Sequence, residues 1–192
     1  SVASDAVCAP TFNFAKISTL SLVLAFAFTC ADQAIAQSLP AGAAITAGTA
    51  QISQSGNKLT INQATDKLAT NWQSFNIGAG SSVQFVQPSA SAVALNRVVG
   101  ADASQIQGAL RANGQVFLLN PNGVVFSPTA QVNVGSLVAS TLQLSDADFL
   151  AGRYRLSGSS HAGVTNQGQI TAGEKGSVAL IAARIVNDGQ IH

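Results

Sequence analysis

The composition of this 192-residue chain favours stacked β-structure over a helical bundle with salt-bridged faces. Only 9% of the residues are charged and the net charge is +1, which argues against nucleic acid or an acidic membrane as a partner. Apolar residues make up 47%, which excludes a disordered chain and leaves room for one ordinary domain.

Residues 1–36 are predicted to be a signal peptide. The apolar run 17–30 has the length of a signal-peptide core and is too short to span a bilayer. Ala34 and Ala36 give the small-x-small pattern of a signal peptidase site, so Gln37 is the predicted mature N-terminus. A buried core helix is the alternative reading of the apolar run.

The cysteines support export without disulfides. Cys8 and Cys30 both precede the predicted cleavage point, so the predicted mature chain has none. A lipoprotein signal ending at Cys30 is disfavoured, because the preceding Phe-Thr does not supply the small residues it needs. The chain starts at Ser1, and we expect part of the leader to be missing.

Residues 37–192 are read as short β-strands separated by turn signals. The segment 37–55 is the candidate N-terminal cap, and 103–114 is the one candidate helix, of about two turns. The predicted strands share β-branched or alternating apolar residues and comprise 56–63, 82–87, 92–99, 114–120, 123–127, 130–140 and 176–183. The continuous apolar run in 114–120 predicts a strand covered on both faces.

A repeat near the C-terminus suggests a solenoid. The segment 164–170 (VTNQGQI) resembles 185–191 (IVNDGQI), with Asn166 aligned to Asn187 at an offset of 21 residues. A strand, an Asn-x-Gly turn and another strand at that period are typical of one β-solenoid coil. We therefore predict an all-β fold, a parallel β-helix with asparagine ladders at its turns. A β-sandwich is the alternative, and the chain is expected to end within the solenoid.

Three motifs are candidate functional elements. The stretch Asn120-Pro121-Asn122-Gly123 is predicted to form a tight turn, with recognition as the alternative. Trp72 and Phe75 are predicted to pack in the core or the cap. Arg97, a charge in an apolar run, is predicted to be paired or to lie at an edge.

No catalytic, metal or cofactor site is predicted. Neither His161 nor His192 has a His, Cys or carboxylate at ligand spacing. Asp146 and Asp148 resemble an acid–base pair only in sequence, and are predicted to cap or solvate a short turn. We therefore expect no enzyme activity and no cofactor.

Five motifs in one order resemble the secretion domain of two-partner-secretion exoproteins, the family of filamentous haemagglutinins and related adhesins and haemolysins. They are NWQSFNIG (71–78), VQFVQPS (83–89), ALNRVVG (94–100), ANGQVFLLNPNGVVFS (112–127) and VGSLVAST (134–141). The resemblance runs from about residue 37 to the chain end. Val124 stands where the family usually has Ile after Asn-Pro-Asn-Gly, and the second Asn-Pro-Asn element of some members is absent.

The resemblance implies a right-handed parallel β-helix, a single-chain solenoid with an N-terminal cap and small extra-helical β elements. It implies a signal peptide at 1–36 and a secretion domain at 37–192, part of a larger secreted or surface-exposed exoprotein, such as a haemagglutinin or adhesin of a Gram-negative bacterium. The exoprotein would use the general Sec export machinery, and periplasmic POTRA domains of an outer-membrane TpsB-family transporter would recognise the domain. A host-cell receptor would be reached through the rest of the exoprotein.

The resemblance also assigns roles to residues. Those expected to act in transporter recognition or early folding are Asn120, Pro121, Asn122, Gly123, Asn96, Arg97 and Val98. Those expected to be structural are Asn71, Trp72, Phe75, Asn113 and Gly114. Whether the Asn120–Gly123 turn contacts the transporter or only sets the fold is left open.

Two other functions are alternatives to an export address. A polysaccharide-cleaving β-helix enzyme would need clustered Asp, Lys or Arg on one strand face, and the charges here are scattered. An adhesin module that itself binds host glycan or protein is the alternative to an export address, although one Trp and one Tyr offer few aromatic platforms.

Overall fold

The computed structural model describes residues 38–192, which form a parallel β-helix of about six turns. The predicted signal peptide and cleavage site, including Ala34, Ala36 and Gln37, lie outside the described residues. Among the described residues no helix is long and apolar enough to cross a bilayer.

Seventeen strands and one short helix, α1 (Asp146–Leu150), make up the described fold. The strands of the cap and the first two coils are β1 (Ala44–Ala47), β2 (Ala50–Ser55), β3 (Lys58–Gln63), β4 (Lys67–Trp72), β5 (Ser82–Val86), β6 (Val93–Val98) and β7 (Ser104–Ile106). Those of the next two coils are β8 (Ala109–Ala112), β9 (Gln115–Leu119), β10 (Val124–Phe126), β11 (Gln131–Val134), β12 (Ser136–Ser140) and β13 (Gly163–Asn166). The last are β14 (Gln169–Ala172), β15 (Val178–Ile181), β16 (Arg184–Asn187) and β17 (Gln190–Ile191).

Three sheets run along the solenoid, because each coil from the second to the fifth adds one strand to each of them. Sheet A has the order β1-β4-β6-β9-β12-β15, sheet B has β17-β14-β11-β8-β5-β3-β2, and sheet C has β16-β13-β10-β7. All coil-to-coil pairs are parallel, so the backbone groups of one coil bond to those of the next.

The predicted N-terminal cap is present. Strand β2 pairs antiparallel with β3 at the end of sheet B, and β1 pairs antiparallel with β4 at the end of sheet A. Leu39, Ala50 and Ile52 pack against the interior core from this side. The cap therefore covers the first coil, whose edge would otherwise present unpaired backbone groups.

The 21-residue repeat is confirmed in register. Val164 pairs with Ile185, and Asn166 pairs with Asn187, whose side chain accepts a hydrogen bond from Asn166 Nδ2 at 2.8 Å. The predicted asparagine ladder is thus present at the turn between sheets C and B.

Two apolar clusters flank sheet A. The inward side chains of all three sheets fill the interior, where Leu118 is fully buried. The outward side chains of sheet A form a second cluster, in which Leu95 and Phe117 take part. Strand β9 is therefore covered on both faces, as its continuous apolar sequence predicted.

Two secondary-structure predictions from the sequence were wrong, one of a helix and one of a continuous strand. The candidate helix 103–114 is β7 and β8, and its side chains alternate, with Ser104 and Ile106 buried and Gln105 exposed. Pairing with neighbouring coils overrides the local helical tendency there. The single strand predicted at 130–140 is β11 and β12, separated by Gly135, whose N–H donates to the Gly114 carbonyl at 2.8 Å.

Candidate recognition and folding site

The Asn120–Gly123 stretch is a tight turn that joins β9 to β10. The Gly123 N–H donates to the Asn120 carbonyl at 3.0 Å, and the Asn122 N–H donates to Asn120 Oδ1 at 2.9 Å. Gly123 has φ +113°, which favours glycine. The predicted turn is confirmed, and the Asn120 side chain organises it from within.

Asn120 also binds the preceding coil. It is fully buried, and its Nδ2 donates to the carbonyl of Asp102 and to Ser104 Oγ, both at 3.0 Å. The exposed Asn122 makes a parallel contact, since its Nδ2 donates to the Gly100 carbonyl at 2.9 Å. Both side chains thus fasten the turn to the segment that follows β6.

The same turn contacts the following coil. The Asn120 N–H donates to the carbonyl of Ser140 at 2.9 Å, and Ser160 Oγ donates to the Pro121 carbonyl at 2.6 Å. One four-residue turn therefore makes hydrogen bonds to the coils on both sides of its own.

Strand β6, which carries Asn96, Arg97 and Val98, lies one coil before this turn. Asn96 is buried in the interior and accepts a hydrogen bond from Trp72 Nε1 at 3.0 Å. Its Nδ2 donates to two main-chain carbonyls, of which the Phe117 carbonyl lies one coil further on at 3.3 Å. Both the amide oxygen and the amide nitrogen of this buried side chain therefore have hydrogen-bond partners.

Trp72 and Phe75 belong to the interior core, as predicted. Each is 1% exposed, and their rings form an edge-to-face contact with centroids 5.5 Å apart. Val98 pairs with Trp72 in the sheet register and is also buried. These residues close the interior at the junction of the cap and the first coils.

Arg97 points outward and is paired, as its apolar context predicted. Its Nε donates to Asn71 Oδ1 at 2.9 Å, its Nη1 to the Leu144 carbonyl at 3.1 Å and its Nη2 to Thr46 Oγ1 at 3.0 Å. Nη2 also lies 2.6 Å from Asp146 Oδ1, in an ion pair without an aligned hydrogen bond. The guanidinium therefore joins β1, β4 and the segment after β12.

Asn113 and Gly114 lie at the corner between sheets B and A, away from the Asn120–Gly123 turn. Asn113 exchanges two 2.8 Å hydrogen bonds with the backbone of Gln87, and the Gly114 N–H donates to Gln87 Oε1 at 2.9 Å. The buried Gln87 also donates to Gln63 Oε1 at 3.2 Å. A Cβ on Gly114 would lie 2.7 Å from the Ala92 carbonyl, so only glycine fits there.

Sequence reasoning missed the role of Gln87 and Gln63. The signal was present, because INQ (61–63) and FVQ (85–87) place a glutamine at the end of β3 and directly after β5, at equivalent positions of successive coils. A recurring amide at a strand end predicts a side-chain ladder at a solenoid corner.

The titratable residues form no acid–base pair or metal cluster within residues 38–192. Asp146 pairs with Arg97, whereas Asp148 caps α1 with Ser145 and pairs with Arg153 at 2.8 Å. Hydrogen bonds from Arg153 and then Ser145 lower the pKa of Asp148 below its ordinary value. In the described residues no three His, Cys, Asp or Glu side chains lie together as metal ligands would.

Comparison with known proteins places this geometry in a family. The family model of the TPS secretion domain matches residues 36–192. Two heme/hemopexin-binding proteins of Haemophilus influenzae are 46% identical over 129 residues and 42% identical over 130 residues, in each case 67% of this chain. The matched region spans only 14% of the length of each of these relatives.

A solved structure agrees. The HMW1 secretion domain from Haemophilus influenzae superposes with a TM-score of 0.76 at 37% identity, over 79% of this chain and 41% of that one. The family model covers most of this chain, and the relatives and the solved structure share its secretion-domain region. The chain therefore belongs to the TPS secretion-domain family, whose members serve export in two-partner secretion.

Proposed function

We propose that residues 37–192 are the export address of a longer exoprotein and that the Asn120–Gly123 turn sets their fold. In this proposal the chain crosses the inner membrane by the Sec route, and POTRA domains of an outer-membrane TpsB-family transporter then bind it. The observation that carries the proposal is that one turn of a secretion domain hydrogen-bonds to the coils on both sides.

Asn120 and Asn122 differ in solvent exposure, and this difference distinguishes a role in folding from direct contact with the transporter. Asn120 is fully buried, so it acts on the transporter only through the fold. Asn122 is exposed, so its side chain is accessible to a partner as well as bonded to Gly100. The Arg97 side chain is only 13% exposed and is occupied by internal partners, which favours a structural role for it too.

In this proposal the transporter binds extended backbone at a sheet edge. Strand β2 ends sheet B and pairs on one side only, with β3. A strand edge of this kind can pair with the edge of a partner's sheet, with modest affinity from backbone hydrogen bonds.

The test is a secretion assay in a strain with and without the cognate transporter, scoring the chain in the medium. We expect transporter-dependent release of the wild-type chain, and reduced release of Asn122→Ala. The matched control is Asn133→Ala, an exposed asparagine on the outer face of sheet B. Release that does not depend on the transporter would contradict the export role.

A stability measurement on the same variants decides how the turn acts. If Asn122→Ala lowers secretion while its unfolding free energy matches that of Asn133→Ala, the side chain contacts the transporter. If stability and secretion fall together, the turn acts by setting the fold.

The adhesin alternative gains no support from the described residues. Trp72 and all the phenylalanines among them are buried, and only Tyr154, at 43% exposure, presents an aromatic ring to solvent. The names of the relatives refer to heme and hemopexin binding by proteins much longer than this chain. We assign ligand binding of that kind to the rest of the exoprotein, where hemin-agarose capture of the full-length protein would test it.

A further inference from the structure

Residues 143–157 leave the solenoid as a closed loop, which we call the latch. Ser136 pairs with Gln115, 21 residues earlier, but Leu137 pairs with Val178, 41 residues later. Most of the extra length is the latch, which lies between β12 and β13. Two backbone hydrogen bonds of 2.8 and 2.9 Å between Gln143 and Ser157 close its base.

The latch covers the apolar outer face of sheet A. Phe149 of α1 is fully buried there, and the Tyr154 ring meets Phe117 edge-on with centroids 5.1 Å apart. The sheet residues of this outer cluster are Ala69, Val93, Leu95, Phe117 and Leu119, and those of the latch are Leu144 and Phe149. Removing the latch would expose a contiguous apolar strand face, which is costly in water.

Two cations of the sheet hold the two ends of α1. Arg97 pairs with Asp146 in its first turn, and Lys67 Nζ donates to the Leu150 carbonyl at its last residue, at 2.6 Å. Arg97 also donates a hydrogen bond to the Leu144 carbonyl, just before the helix. The charges on the sheet thus match the acidic start and the carbonyl end of the helix.

The latch reaches backwards along the chain. It arises after β12 in the fourth coil, yet it contacts Lys67 in the first coil, Arg97 in the second and Phe117 in the third. These contacts are made by latch residues between 144 and 154, and the base of the latch closes only with Ser157. A chain that ends with the third coil therefore cannot form them, whereas its coils can already stack. The cover of the early coils is therefore supplied late.

We propose that the latch is a separate cooperative unit, which closes over sheet A as the last step in assembling the first four coils and opens while the coils stay stacked. Closure adds to the stability of the early coils, since it buries their outer apolar face. This inference concerns the folding of the chain itself and does not depend on how a transporter recognises it.

The test uses two probes that lie in different units. Trp72 is the only Trp and is buried in the interior, so its fluorescence reports on the coils. Arg153 and Arg155 are exposed trypsin sites within the latch, and their cleavage requires the latch to open locally. The sample is the chain exported to the periplasm and purified.

Asp146→Asn removes the charge that pairs with Arg97, and Glu174→Gln is its control, because it removes one negative charge from an exposed turn far along the solenoid. We expect cleavage after Arg153 and Arg155 to rise about ten-fold in Asp146→Asn, as a partly buried ion pair warrants, and to stay within about two-fold in the control. The Trp72 emission maximum should not move in either.

Lys67→Met is the second variant, since it keeps the aliphatic stem and loses the bond to the Leu150 carbonyl. It should raise cleavage in the latch in the same way, again without a change in Trp72 emission. Unchanged cleavage in both variants would overturn the proposal. So would a shift of Trp72 emission that accompanies the increased cleavage, because the latch and the coils would then open as one unit.

Discussion

Asn120→Ala should destabilise the domain by about 3 kcal/mol. The substitution removes two hydrogen bonds donated by Nδ2 and one accepted by Oδ1 from the Asn122 N–H, from a side chain with no exposure. A second, longer bond to Oδ1 from Asn122 Nδ2, at 3.3 Å, adds little, because that exposed donor keeps its bond to the Gly100 carbonyl. Each lost bond costs about 1 kcal/mol, and the Ser104 hydroxyl, 1% exposed, cannot be rehydrated and adds about 1 kcal/mol more. The remaining partners, at Asp102 and Asn122, lie nearer to solvent and recover part of their loss in water.

The assay is urea unfolding followed by the fluorescence of Trp72, with the wild-type chain and Asn133→Ala measured in parallel. The control residue is exposed, so its substitution should change the unfolding free energy by less than about 0.5 kcal/mol. The slope of the unfolding free energy against urea concentration should be the same for all three chains. A difference in midpoint then reports a difference in stability. A loss below about 1 kcal/mol for Asn120→Ala, at an unchanged slope, would refute the claim that this side chain fastens neighbouring coils.

Three further outcomes follow from the same contacts. Gly114→Ala should cost about 2 kcal/mol in urea unfolding, because its Cβ would clash with the Ala92 carbonyl, and a smaller loss would mean that the corner can relax. Trp72→Phe should cost about 2 kcal/mol, measured by circular dichroism, because it leaves the buried amide oxygen of Asn96 without its donor; an unaltered midpoint would refute this. The pKa of Asp148, read by NMR titration, should lie below 3.8 and return towards it in Arg153→Gln. The contacts of its carboxylate with Arg153 and Ser145 are therefore intact above pH 3.8 and are lost as pH falls through the lowered value.

The sequence predicted those parts of the fold that repeat. The Asn166–Asn187 offset predicted the coil register, and the apolar run in β9 predicted a strand buried on both faces. The prediction from sequence failed where the local composition favoured a structure other than the one that pairing between coils imposes. The segment 103–114 has a helix-like composition, but each half bonds to a strand of the neighbouring coils, and that pairing decides its structure.

The candidate site was predicted in part, for a physical reason. The turn at Asn120–Gly123 follows from the local preferences of Asn, Pro and Gly. The partners of its side chains do not, because Asp102, Ser104 and Ser160 come from other coils. The latch was missed because the sequence predicts only a short turn that Asp146 and Asp148 cap or solvate, whereas its docking depends on the distant Lys67 and Arg97.

The chemistry of the contacts explains how a chain with so few charges holds its coils together. Amide side chains donate and accept at once, so Gln87 with Gln63, and Asn166 with Asn187, link successive coils without a buried charge. Within residues 38–192, both ion pairs, Arg97–Asp146 and Arg153–Asp148, lie on the latch. The coils are therefore stabilised chiefly by contacts between uncharged groups, whereas the latch is held in part by ion pairs, which salt screens. This division lets the latch open under conditions that leave the stacked coils intact.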